Sequence, residues 1–193
     1  DAIRTNAQTA PSICVDHYTG TLYVAYQYAY TVTDNDLYGA SVPMTNSIAW
    51  STALVSSVAN QTGPKISQNY DGTLALAYLE GASSLYLAKF NSGTGLSAGA
   101  AILESPNAGP VYVMQTDDPA SASYGMLMWT DQASNCINVT LGNFSVTSSP
   151  YLAAPKPIAI VSMGAGMFYG VWGDGSASNV YVSRFSASMT PPD

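Results

Sequence analysis

The sequence predicts an all-β repeat protein, a four-bladed β-propeller, and three observations carry that prediction. Proline opens four similar segments at Pro11, Pro64, Pro110 and Pro157, at intervals of 53, 46 and 47 residues. That is close to the roughly 40–50-residue period of propeller blades. A second element recurs behind each proline and ends on an aromatic residue, at Tyr26, Tyr78, Trp129 and Trp172. The last segment lacks a final strand, and the first ten residues of the chain resemble one.

The elements follow in order. Strand A begins at each proline, as in Pro11-Ser12-Ile13 and Pro64-Lys65-Ile66. His17-Tyr18-Thr19-Gly20 and Asn69-Tyr70-Asp71-Gly72 then supply the positive-φ positions that a tight hairpin needs. Strand B reads Gly20-Thr21-Leu22-Tyr23-Val24-Ala25-Tyr26 in the first unit and Gly72-Thr73-Leu74-Ala75-Leu76-Ala77-Tyr78 in the second. Alternation puts Leu74, Leu76 and Tyr78 on one face and the small Ala75 and Ala77 on the other, which suits sheet-on-sheet packing. Strand C follows at Leu37–Ala40, Leu85–Phe90, Ile137–Thr140 and Val180–Phe185, with Lys89 and Arg184 as exposed cations at one position. Strand D fills the stretch before the next proline, within 48–58 and 100–104.

The fourth unit has no such stretch, because Pro191-Pro192 after Phe185 cannot join a ladder. Ala2-Ile3-Arg4-Thr5 resembles Ala101-Ile102-Leu103-Glu104, the D strand of unit two. The N-terminal strand therefore completes the last blade, from the same chain or from a neighbour, with Gln8-Thr9-Ala10 as a hinge. Either route removes an unpaired edge. The expected organisation is one propeller domain over residues 1–193, with strand A innermost. Its units are 11–63, 64–109, 110–156 and 157–193, the last with strand 1–10.

The stretches PSICVDHYTGTLYVAY and SLYLAKFNSGTG resemble the β-propeller repeats of extracellular proteins, the NHL-like and SBBP-type families. The resemblance covers strands A to C of each unit. It implies blade architecture, with a unit count resembling the hemopexin size class, and no particular activity. The hemopexin repeat signature itself is absent.

Charge bounds the function. Lys and Arg number 5 against 12 Asp and Glu, a net charge of −7. Such a surface repels phosphate backbones, and no basic run exists, so nucleic-acid binding is excluded. No apolar run is long enough to span a membrane as a helix. The chain opens at Asp1 without an apolar leader, as a mature secreted product does. Three sequons, at Asn60, Asn138 and Asn143, point the same way, towards an extracellular glycoprotein. Asn60 falls in a D–A link and Asn138 within a strand, so Asn60 and Asn143 are expected to be modified ahead of Asn138. Cys14 and Cys136 allow one disulfide or two buried thiols. They fall in opposite units of a four-unit ring, beyond the ~7 Å Cα limit, which predicts no intramolecular bond.

Tyr26, Tyr78, Trp129 and Trp172 could form a sugar-stacking platform, but bulky aromatics at one repeat position pack more simply between blades. Two residues further on, Tyr28, Glu80, Asp131 and Asp174 occupy a second equivalent position at the start of the B–C loops, with Asp34 and Asp36 nearby. These are the candidate binding residues. Acid-rich loops suit Ca²⁺, though no EF-hand-like run is present and no cofactor is required. A glycosidase needs two carboxylates across the scissile bond, and duplication explains these acids more simply. The arginine cluster of a sialidase-like site is missing, and His17, the lone histidine, sits in a turn with no nucleophile motif. The sequence is thus read as non-enzymatic, with two functional classes open. One is a self-associating structural subunit of a filament or surface assembly, joined through Ala2, Ile3, Arg4 and Thr5. The alternative is a lectin-like propeller that binds glycans.

Overall fold

The structure, a computed structural model, describes residues 6–16, 19–31, 33–43, 50–55, 57–68, 73–91, 102–115, 126–141, 145–148, 155–164, 167–174 and 179–186. Among these there is no helix, only fifteen strands in four antiparallel sheets. The first sheet holds β1 (Gln8–Val15), β2 (Leu22–Ala29), β3 (Asn35–Val42) and β4 (Trp50–Val55). The second holds β5 (Gln61–Gln68), β6 (Thr73–Glu80), β7 (Ser84–Asn91) and β8 (Ile102–Ser105). In the third are β9 (Ala108–Gln115), β10 (Met126–Asp131), β11 (Cys136–Leu141) and β12 (Ser145–Ser148). The fourth has three described strands, β13 (Pro155–Gly164), β14 (Met167–Asp174) and β15 (Asn179–Ser186). Each repeat is therefore one blade-like sheet with strands in chain order. Ala2–Thr5, the expected completing strand, lie outside the described residues.

The chain divides into two compact units, Asp1–Gln68 with Gly72–Leu103 and Asn69–Asp71 with Glu104–Asp193. In the first, Tyr23, Leu37 and Leu54 pack with Ile66, Leu74, Leu76 and Tyr78 in one core. The alternation read from strand B is visible here: Leu74, Leu76 and Tyr78 all enter that core, while Ala75 and Ala77 are wholly buried on the other face. The A strands β1 and β5 lie side by side, joined where the Ile66 amide donates to Ser12 Oγ at 3.0 Å. In the second unit Met126, Met128, Ile137 and Val139 meet Phe168, Trp172 and Phe185, and β9 lies beside β13.

The repeat prolines do not start strand A. They sit inside it, at bulges. The register shifts between Thr9 and Ser12 in β1 and between Thr62 and Lys65 in β5, around Ala10-Pro11 and Gly63-Pro64. A bulge is where a proline, lacking a donor, fits an inner strand, and where a left-handed residue is needed. Ala10 has φ 48° and Gly63 φ 62°. The Gln8–Ala10 stretch is thus strand, with Gln8 opposite Tyr28 and Thr9 opposite Gln27, and not a hinge. Its ladder bonds hold it against β2. A first prediction follows from the strained alanine. Ala10→Gly should raise the unfolding free energy by up to about 1 kcal/mol, and Gly63→Ala should lower it by about 1–2 kcal/mol, both read by urea titration.

Candidate functional site

The strand register aligns the four candidate residues. Tyr28 pairs with Gln8 and Asp36, Glu80 with Gln61 and Ser84, Asp131 with Ala108 and Cys136, and Asp174 with Pro155 and Asn179. Each stands at or next to the last residue of strand B, opposite the first residue of strand A. Within each unit a side chain one residue earlier ties its sheet to the next A strand. Gln27 Oε1 accepts from the Gly63 amide at 3.0 Å, and Thr130 Oγ1 donates to the Pro155 carbonyl at 2.8 Å. Tyr28 and Glu80 are thereby brought to one end of the first unit, and Asp131 and Asp174 to one end of the second.

The acids are not alike, for local reasons. Asp131 closes its own hairpin: Oδ1 accepts from the amides of Ala133 at 2.8 Å and Ser134 at 3.1 Å, and Oδ2 from Asn138 Nδ2 at 3.2 Å. Asn138 Oδ1 in turn accepts from the Cys136 thiol at 3.3 Å, and Ser134 Oγ lies 2.9 Å from that sulfur. Asp131 is a turn-holding residue. Asn138 is buried within this chain of bonds, as its strand position suggested for that sequon. Asp174 is buried as well. Glu80 is half-buried, and among the described residues its carboxylate receives one long contact, from Ser57 Oγ at 3.5 Å.

Around Glu80 the first unit builds a polar cluster that sequence reasoning noted only in part. Asn35, between Asp34 and Asp36, donates from its backbone and its side chain to Asn60 Oδ1 at 3.0 and 2.8 Å. Gln61, wholly buried, donates from Nε2 to Ser57 Oγ at 2.6 Å and to the Ala59 carbonyl. Gln61 Oε1 and Asp34 Oδ1 are buried without a hydrogen-bond partner. In the sequence Gln61 is only the middle residue of the Asn60 sequon. The repeat gives no sign of its burial, since its equivalent in Gln8-Thr9-Ala10-Pro11 against Gln61-Thr62-Gly63-Pro64 is exposed.

The aromatics of the first equivalent position are buried, as the packing reading held, with Trp129 wholly so. Tyr26 stacks on Tyr38 at 6.2 Å, Tyr78 on Tyr86 at 5.6 Å and Trp172 on Tyr181 at 6.1 Å, the same cross-strand pair in three sheets. Tyr28 meets Tyr38 edge-on at 5.0 Å, and Tyr30, two residues on, is 63% exposed. Among the described residues no group of three or more His, Cys, Asp or Glu is placed to hold a metal ion. His17 and Asn143 lie outside them.

Cys14 and Cys136 are both free thiols. Burial first, then the charge of Asp16, pushes the Cys14 thiol up to about 12. Burial, then Glu80 and Tyr86, pushes the Tyr78 phenol to about 12. Both groups stay neutral in the fold at pH values where the unfolded chain ionises them, from about 8.5 for Cys and 10 for Tyr. Their contribution is complete below that range and is lost as pH rises towards 12. The urea midpoint should therefore hold level to about pH 8 and fall between about pH 9 and 12. Tyr78→Phe should flatten part of that fall.

No protein family and no curated protein matches the chain. Solved structures that share its fold include three glycan-processing enzymes. An α-L-arabinofuranosidase from Fusarium graminearum, in complex with an iminosugar inhibitor, aligns over 95% of this chain with a TM-score of 0.59 and 12% identity. An α-L-arabinanase from Penicillium chrysogenum, complexed with arabinobiose, aligns over 98% with a TM-score of 0.59 and 14% identity. The exo-β-1,3-galactanase 1,3Gal43A from Clostridium thermocellum aligns over 95% with a TM-score of 0.56 and 10% identity. The chain covers 59%, 61% and 47% of these proteins, respectively. The fold is a β-propeller, here with four sheets. The NHL-like and SBBP-type resemblance reaches as far as that fold. The expectation of a non-enzymatic filament subunit is corrected by these neighbours, all three of which are named as enzymes of carbohydrate breakdown. That expectation rested on a scarcity of sharp motifs, and a fold built of repeats is not tied to any one function. No helix among the described residues is long and apolar enough to cross a membrane.

Proposed function

We propose that this chain is a carbohydrate-active β-propeller that engages a glycan at the strand-B ends of its sheets. The observation that carries the reading is the fold shared over nearly the whole chain with an arabinofuranosidase, an arabinanase and a galactanase. The residues at those strand ends supply compatible chemistry. Tyr28 and the exposed Tyr30 offer ring faces for the C–H surface of a sugar, and Asp34, Asn35 and Glu80 offer partners for its hydroxyls. Asp131, committed to its turn, shapes a loop and takes no part in chemistry.

Hydrolysis is the reaction this reading admits. It needs one carboxyl to protonate the leaving oxygen and a second to act as base or nucleophile. Glu80 is assigned the first role because its carboxylate is half-buried and only lightly held, by Ser57 Oγ at 3.5 Å, where that of Asp131 is committed to its turn. The two roles are separable by experiment. Arabinobiose, arabinan and β-1,3-galactan are to be titrated calorimetrically and assayed for released reducing sugar. Binding with release that Glu80→Gln abolishes supports an enzyme, and binding without release supports a lectin-like propeller. Failure of every saccharide to bind overturns the proposal.

An extracellular setting belongs to the same proposal. Asn60 lies in the link before β5, half-buried, while Asn138 is buried inside β11. Mass analysis of native material before and after deglycosylation should find Asn60 modified and Asn138 bare.

A further inference from the structure

We infer, resting on the carbohydrate reading above, that the strand-B end of the first unit selects neutral saccharides through their hydroxyl donors and rejects acidic ones. The cluster there is built from residues 27–31, 33–36, 57–63 and 78–84. Those stretches contain three carboxylates, Asp34, Asp36 and Glu80, and no lysine, arginine or histidine. Its free capacity lies in acceptors. Gln61 is 0% exposed, and its amide nitrogen is committed to Ser57 Oγ and the Ala59 carbonyl, which leaves Oε1 with no donor. Ser57 pins that amide beside the Glu80 carboxylate, since its hydroxyl contacts Gln61 Nε2 at 2.6 Å and Glu80 Oε2 at 3.5 Å. Asp34 precedes Asn35, whose paired bonds to Asn60 tie it to the same link, and its Oδ1 is likewise buried and without a partner.

Buried acceptors left without donors are strongly unfavourable, so the native cluster receives donors. A buried water fills that role, and a polyhydroxyl ligand at the surface reaches the acceptors through it. A uronate, sialic acid or sulfated sugar brings a further anion instead. It meets three carboxylates, no cation on the segments that build the cluster, and a chain of net charge −7.

The test is an array of neutral and acidic oligosaccharides, the acidic set containing galacturonate, sialylated and sulfated members. Neutral glycans only are expected to bind. Against the best of them Asp34→Asn, which replaces one acceptor oxygen by a donor, should weaken affinity about tenfold, the scale of one hydrogen bond to a charged group. Glu80→Gln serves as a second variant, and the melting temperature of each reports whether it folds. Acidic glycans binding as well as neutral ones overturns the selectivity while leaving the carbohydrate reading intact. Unchanged affinity in both folded variants overturns the placement. Saturable Ca²⁺ binding by the wild type that Asp34→Asn removes assigns the acceptors to a cation and overturns the inference. An array with no binder at all overturns the carbohydrate reading itself.

Discussion

Trp172→Ala is expected to lower the stability of the second unit by about 3–5 kcal/mol, the range for deleting a large aromatic from a packed core. Trp172 is 7% exposed and lies in the core that Met126, Met128, Ile137 and Val139 share with Phe168 and Phe185. It stacks on Tyr181 at 6.1 Å and meets Phe185 at 6.4 Å in a tilted arrangement. Truncation removes burial and both ring contacts, and strands on two sheets must collapse to fill the void. Trp172→Phe retains a ring and should cost less than half as much. Urea denaturation followed by circular dichroism measures both. A loss under about 1 kcal/mol for the alanine variant would show that the two sheets do not depend on this contact.

Gly170→Val is expected to cost about 3 kcal/mol, the upper end for overpacking. The reason is close approach and not backbone freedom. A Cβ at position 170 would stand 2.9 Å from Phe185 Cε2, 3.1 Å from Met126 Cε and 3.3 Å from Met128 Sδ. Gly170 lies in β14 two residues before Trp172, on the face that packs against the third sheet. Three side chains from two sheets would have to move together. Pairing the change with Phe185→Leu should recover part of the loss, and a double-mutant cycle reads the coupling. Additive costs would place the clash elsewhere. Gly39 repeats the arrangement in the first unit, where an added Cβ would sit 2.7 Å from Leu54 Cδ2.

The repeat made most of the fold legible. Near-regular spacing, alternation and one recurrent aromatic sufficed to find strands A to C of every unit, and the register then aligned Tyr28, Glu80, Asp131 and Asp174 as the spacing implied. Strand starts were misplaced because a proline usually marks a boundary. Here it marks a bulge, and Ala10 at φ 48° carries no sequence sign of its left-handed backbone. The candidate site was legible as positions but not as roles. Glu80, Asp131 and Asp174 are equal in the repeat, yet Asp131 is consumed by its own turn while Glu80 keeps its carboxylate nearly unengaged.

Local periodicity is a property of neighbours along the chain, and for this protein the sequence alone determined the all-β class, the four repeats and the faces of the strands. Only the tertiary structure decided which polar groups meet. Asn35 and Asn60 are 25 residues apart and Ser57 and Glu80 are 23 apart, and no periodicity links them. Whether Gln61 is a surface amide or a buried acceptor with an open valence depends on how the chain between them packs, because burial turns a solvated oxygen into one that must find a donor.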